Sequence, residues 1–278
     1  MSDPMRLAHL ILLVLLALTP LRAFAFVPPA QIKLTTQEWG GAAPADVQAV
    51  LDSVITVISP YIAQRKFGTI LVQRSEDAPR AMYEKSADGE YIVQVQASGN
   101  HWARIAYQFS HEMCHLMSNY DLAPNNVSRQ QWFEEALCEA FGLFTLERMA
   151  EAWAENPPYP NWKDYAPHLR EYSQNNLQEA HRQLPKGMKL PAWYQQYREV
   201  LRADPYAKDR DLNEVVSNQI LPILSATPQG WTAINYLNLG ETGKDLSLET
   251  YLGDWLENSP PDLREPVSKI KALLLTSQ

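Results

Sequence analysis

The sequence predicts an α+β fold, with a small sheet near the N-terminus and helices from there to the end of the chain. Three observations carry that expectation. Short β-rich runs are confined to residues 69–96. Two long segments, 101–120 and 128–153, repeat their apolar residues with the period of an α-helix. Beyond Pro157-Pro158-Tyr159-Pro160 the chain is helical pattern punctuated by proline.

Taken in order, Met1 to Ala25 has the form of a secretory signal. Arg6 precedes an apolar run from Leu7 to Leu18, and Ala23-Phe24-Ala25 supplies the small residues read by signal peptidase, placing cleavage after Ala25. The run is well short of the roughly 20 residues of a membrane span. The expectation is an exported chain, periplasmic or secreted, with no stable membrane anchor after cleavage. Residues 27–41 read as an extended lead-in, and Pro44 to Arg65 as a helix with Val47, Val50, Leu51, Val54 and Ile58 along one stripe. Thr69 to Gln73 is a strand. Arg80 to Lys85 and Glu90 to Gln96 form a hairpin around Asp88-Gly89. Ser98-Gly99-Asn100 can cap a helix over 101–120, and Ser128 can cap a second to about Trp153 after a linker over 121–127. Further helices are expected over 168–183, 192–204, 211–224, 228–239, 248–258 and 263–275. The division that follows is a signal over 1–25, a catalytic lobe over 26–156 and a helical lobe over 157–278.

Composition narrows the class. A mature chain of roughly 250 residues is long enough for a substantial core, and 46% apolar and 10% aromatic residues argue for a globular chain. A formal charge of −8 disfavours nucleic acid and anionic membrane surfaces as partners.

The chemistry lies in His111-Glu112-Met113-Cys114-His115 and Trp132-Phe133-Glu134-Glu135-Ala136-Leu137-Cys138-Glu139. Two histidines at i and i+4 share a helix face and can reach one Zn²⁺, with Glu112 beside it as a base for bound water. A carboxylate from the second segment completes three protein ligands, leaving a position open for water as catalytic sites do. Glu135 and Glu139, again i and i+4, also share a face, so one can bind metal while the other accepts the free N–H of a ligand imidazole. The two cysteines, Cys114 and Cys138, follow His111 and Glu135 at equal offsets. If the helices meet at a common metal, the cysteines can form a disulfide; two buried thiols, or Cys114 as a metal ligand, are the other readings.

HExxH on one helix and E-x-x-x-(D/E) on the next resembles the gluzincin branch of the zincin metallopeptidases, which includes thermolysin-like and aminopeptidase N-like enzymes. Trp132 to Ala136 is similar to the clan's W-x-x-E-G/A signature. Over residues 91–144 the resemblance implies a zincin-like fold and one Zn²⁺ per chain. It implies His111, His115 and Glu135 as metal ligands, Glu112 as general base and Glu139 as the acid behind a ligand histidine. Glu134 is then expected to be solvated or to line the mouth. The strand Tyr91 to Gln96 is expected either to pair with an extended peptide along the cleft or to be an ordinary internal strand. Tyr206, Tyr236, Tyr251, His168 and His181 are the candidates for stabilising an oxyanion. The implied function is an exported zinc metallopeptidase acting on peptides or proteins; the alternative is a zincin-fold scaffold that has lost turnover.

Overall fold

The computed structural model describes residues 29–276, apart from 64, 97, 121–128, 205–209 and 241–245. The expected signal over 1–25, the linker, the Ser128 cap and Tyr206 lie outside the described residues. The fold is α+β: four short strands and eight α-helices among the described residues, with the first two strands joined through a helix. No helix among them is long and apolar enough to cross a membrane.

Strands β1 (Ala30–Leu34), β2 (Gly68–Arg74), β3 (Arg80–Ala81) and β4 (Tyr91–Val95) form one mixed sheet in the order β1-β2-β4-β3. β1, β2 and β4 run parallel, and β3 pairs antiparallel with β4, Ala81 opposite Val93. In β4, Tyr91, Val93 and Val95 point into the core and the residues between them do not, as expected of a strand with one covered face. The Asp88-Gly89 turn forms as read, with Gly89 at a φ of +80° that a side chain would resist. β4 lies between β2 and β3, so the internal alternative for Tyr91 to Gln96 holds. The exposed edge beside the helices belongs to β3.

Helix α1 (Pro44–Ile58) buries Val47, Val50, Leu51, Val54, Ile55 and Ile58. It stops seven residues before the expected Arg65 because Pro60 has no N–H to continue the ladder, and the chain tightens into a 3₁₀ turn over Ser59–Tyr61. Helix α2 (Trp102–Met117) is capped differently from the expectation. No side chain of 98–101 caps it; the Tyr165 hydroxyl accepts the Ala103 N–H at 3.3 Å. At its other end Arg65 Nη1 donates to the Leu116 carbonyl at 2.6 Å, and Asn119 turns the chain at a φ of +66°.

Helix α3 (Gln131–Glu155) is the longest and lies against α2. Nearly every residue of α2 is buried, including the polar face that carries Gln108, His111, Glu112 and His115. α4 (Ala166–Gln178), α5 (Leu190–Ala203), α6 (Asp211–Ala226), α7 (Leu248–Asn258) and α8 (Arg264–Leu275) complete the chain. Two expected helices differ: 168–183 breaks after Gln178 into a 3₁₀ turn over Ala180–Arg182, and Pro228–Tyr236 is 3₁₀ throughout. In the latter the Asn235 amide bonds the Thr232 and Tyr61 carbonyls, competing with an α-helical ladder. One continuous cluster of buried apolar residues runs from Ala30 to Leu274.

The approach of α2 to α3 depends on Gly142, where a Cβ would stand 3.0 Å from the Tyr107 ring. Gly142→Leu is expected to force the helices apart and cost about 1–3 kcal/mol, read as a lowered denaturation midpoint with the slope unchanged.

Candidate metal centre

Helix α2 presents His111, Glu112 and His115 toward α3, which presents Glu134, Glu135 and Glu139 back; all six are buried. Cys114 and Cys138 join the same two helices in a disulfide, with Cα atoms 5.1 Å apart. The bridge takes both sulfurs out of contention as metal ligands and closes a loop of 24 residues, a constraint worth about 3 kcal/mol in the chain-entropy view.

The two imidazoles meet nitrogen to nitrogen. His111 Nε2 and His115 Nε2 are 3.2 Å apart, with Glu135 Oε2 3.2 Å from the first and Glu135 Oε1 3.5 Å from the second. His115 Nδ1 donates to Glu134 Oε1 at 2.7 Å, since an ionised carboxylate only accepts, and this leaves the Nε2 lone pair pointing at His111. Glu139 Oε2 stands 3.7 Å from His111 Nδ1, beyond hydrogen-bond length but close enough to favour a proton there. Lone-pair donors so arranged repel one another unless a cation lies among them. Two ligands each about 2.1 Å from a tetrahedral ion stand roughly 3.4 Å apart, which is the separation observed.

Charge balance points the same way. Glu112, Glu134, Glu135 and Glu139 are four buried carboxylates. Two guanidiniums approach them: Arg182 Nη2 lies 2.6 Å from Glu139 Oε1, and Arg210 Nη2 lies 4.0 Å from Glu135 Oε2. Arg182 is shared with Glu214 and Glu179, so the carboxylates here outnumber the guanidiniums, and a cation among them would offset the excess. Without it, protons fill the gap: burial pushes His111 and His115 toward neutrality, but the facing carboxylates outweigh it and raise both, His115 strongly. Burial likewise works against the Glu139 carboxylate, yet His111, Arg182 and Tyr107 hold it down at about 2.

Each imidazole therefore has its own carboxylate, and each carboxylate its own anchor. Glu139 is fixed by Arg182, which is itself almost wholly buried. Glu134, expected at the mouth, is instead 2% exposed. It also accepts from Ser118 Oγ at 2.6 Å and from Asn238 Nδ2 at 2.7 Å. Asn238 sits at a φ of +58°, also donates to the Ser118 carbonyl at 3.0 Å, and accepts from the Tyr251 hydroxyl at 2.7 Å. The correction to Glu134 has a simple cause: its neighbour Asn238 is 104 positions away and no local pattern brings the two together.

A cleft of about 480 Å³ opens over these groups, lined by Pro79 to Glu84, Glu112, His115, Tyr120, Gln131, Glu135 and Arg210. Glu112 Oε2 accepts the Ala81 N–H at 2.7 Å, tying the carboxylate to the edge of β3. Of the expected oxyanion donors, Tyr251 and His181 are engaged with Asn238 and Glu214, His168 lines a separate cavity with His101, and Tyr236 does not line the cleft. Arg182, Asn238 and Arg210 were not legible as site residues; only packing around α3 brings them there.

No protein-family model, curated protein or solved structure matches the chain.

Arg182→Met is expected to strand the buried Glu139 charge and cost about 3–5 kcal/mol in denaturant unfolding. Asn238→Gly removes the amide without straining the positive φ, and should raise the dissociation constant for zinc about 10-fold in a chelator competition. Because Glu139 is held below the ordinary carboxyl value of 4.5, its contribution is complete above that pH and is lost as pH falls toward 2. His111 and His115 are raised, so protons compete with metal: zinc affinity should weaken as pH is lowered through neutrality, with protons released on binding.

Proposed function

We propose that this chain is an exported, zinc-dependent peptidase with a gluzincin-type centre. The observation that carries the reading is the convergence of His111 Nε2, His115 Nε2 and the Glu135 carboxylate beside Glu112 at the base of an open cleft. The pairing of an HExxH helix with a glutamate helix, next to a mixed sheet whose edge faces the cleft, is in keeping with a zincin-like fold.

Zinc held by those three residues supplies Lewis acidity toward a water and a substrate carbonyl. Glu112, aimed by the Ala81 amide, takes a proton from the water as its oxygen bonds to the carbonyl carbon. When the C–N bond breaks, Glu112 returns that proton to the leaving nitrogen, so one water is consumed and one acid and one amine result. Glu134 fixes the His115 tautomer through its hydrogen bond, while Glu139, 3.7 Å from His111 Nδ1, favours a proton there by its charge; both raise ligand basicity.

An extended peptide fits along β3, not β4. Met82 N–H is turned inward to the Ile92 carbonyl, while Ala81 faces Glu112 and the cleft. Pairing there would add a strand to the sheet's free edge and set the scissile bond over the metal centre. Pro79, which has no N–H, and the shortness of β3 keep that edge from pairing indiscriminately.

Glu112→Gln should bind zinc and fold as the parent does while losing about 10²–10⁴-fold in hydrolysis. Undiminished turnover in that variant removes Glu112 as the base. Chelation should abolish hydrolysis and lower the melting temperature, with zinc restoring both; hydrolysis that survives complete chelation contradicts the reading.

A further inference from the structure

Among the described residues that line the cleft, Arg210 alone comes from beyond Glu155. It stands on the turn ahead of α6, a helix packed against α3, so its guanidinium reaches the centre from the side of Glu135. The separation of 4.0 Å from Glu135 Oε2 is too long for a hydrogen bond, so that carboxylate attracts the guanidinium without consuming its N–H donors. Its side chain is 45% exposed, which leaves room for a substrate atom against it. Burial works against its charge, but Glu135, Glu112 and Glu139 reinforce it, and the group stays a cation throughout.

Two other polar groups of the cleft have partners of their own. Tyr120 donates its hydroxyl proton to the Met82 carbonyl at 2.5 Å. Arg80 pairs with Asp77 at the surface. Tyr83 lies on the β3 wall with its ring against Tyr120. A carbonyl oxygen brought to the metal ligands would lie within reach of Arg210, whose guanidinium stands 4.0 Å from Glu135.

We propose that Arg210 is the catalytic residue that donates N–H bonds to the substrate carbonyl oxygen as it gains negative charge, in the place where the resemblance leads one to expect a tyrosine or histidine. This rests on the reading of the centre as a zinc peptidase. As water oxygen adds to the carbonyl carbon, the C=O π pair moves onto the oxygen and the guanidinium neutralises it without transferring a proton. The oxygen pair re-forms the C=O bond as the C–N bond breaks, and the C–N pair leaves on nitrogen, which takes the proton held by Glu112. A preorganised donor of this kind is worth about 10²–10³ in kcat, more than it is worth in binding the uncharged ground state.

The test uses zinc-loaded full-length protein as wild type, Arg210→Met and Arg210→Lys. A mixed peptide library identifies a cleaved sequence, from which kcat and KM are measured. A phosphinic peptide of that sequence, whose tetrahedral anionic oxygens imitate the charged state, is titrated by calorimetry as a readout independent of turnover. The expected result is an unchanged zinc content in both variants, with a melting temperature lowered only slightly in Arg210→Met because the side chain is 45% exposed. Arg210→Met should lose about 10²-fold in kcat with KM nearly constant. Its affinity for the phosphinic peptide should fall by a similar factor, and added guanidinium ion should partly rescue turnover. Arg210→Lys should lie between the two. Three results would overturn the assignment: a rise in KM at constant kcat confined to substrates with a free C-terminus, which marks a carboxylate anchor; loss of zinc in the variants, which marks a prop for Glu135; or equal phosphinic-peptide affinity in all three proteins. Absence of any cleavage by wild type would instead sink the peptidase reading, which keeps the two failures apart.

Discussion

Four carboxylates buried beside two imidazoles are the constraint around which the rest of this molecule is arranged. An unpaired buried charge costs several kcal/mol, and like charges this close add to that cost. The fold answers with Arg182 against Glu139, with Arg210 near Glu135, and with Ser118 and Asn238 donating to Glu134. Around His111, His115 and Glu135 the carboxylates still outnumber the nearby guanidiniums. A divalent ion bound there would offset that excess, and would then couple metal binding to folding.

Holding that cluster together falls to α2 and α3. Gly142 lets Tyr107 come close, the Cys114–Cys138 bridge locks the helices behind the imidazoles, and the sheet and α1 cover the outer face of α2. The supports reach inward from distant parts of the chain. Arg182 arrives on the turn after α4, and Asn238 from the loop that leads to α7. The helices beyond Glu155 therefore do more than enlarge the core: they deliver the partners that orient each ligand. The cleft remains open because β3 is only two residues long and its neighbours leave the Ala81 edge facing Glu112.

How much of this could be read in advance follows from how local each feature is. The i,i+4 spacing of His111 with His115 and of Glu135 with Glu139 places both pairs on single helix faces, and they do converge. The equal offsets of Cys114 and Cys138 anticipated the bridge once the two helices met. Periodicity placed most helices within a few residues, failing where proline or a competing asparagine bond changed the ladder, as at Pro60 and Asn235. Whether Tyr91 to Gln96 formed the edge of the sheet or an internal strand stayed open in the sequence, because strand order is a property of pairing, not of sequence order. Glu134 was assigned to the mouth because its partners, Ser118 and Asn238, lie 16 and 104 positions away. Arg210 carried no signal at all, since a single arginine between Asp209 and Asp211 resembles any surface cation.

We propose that His111, His115 and Glu135 hold one divalent ion. Elemental analysis of purified protein beside its Glu135→Ala variant tests it most directly. The expected result is one zinc per chain in the parent and none retained by the variant. A parent without zinc, or a variant that keeps it as tightly, would contradict the account.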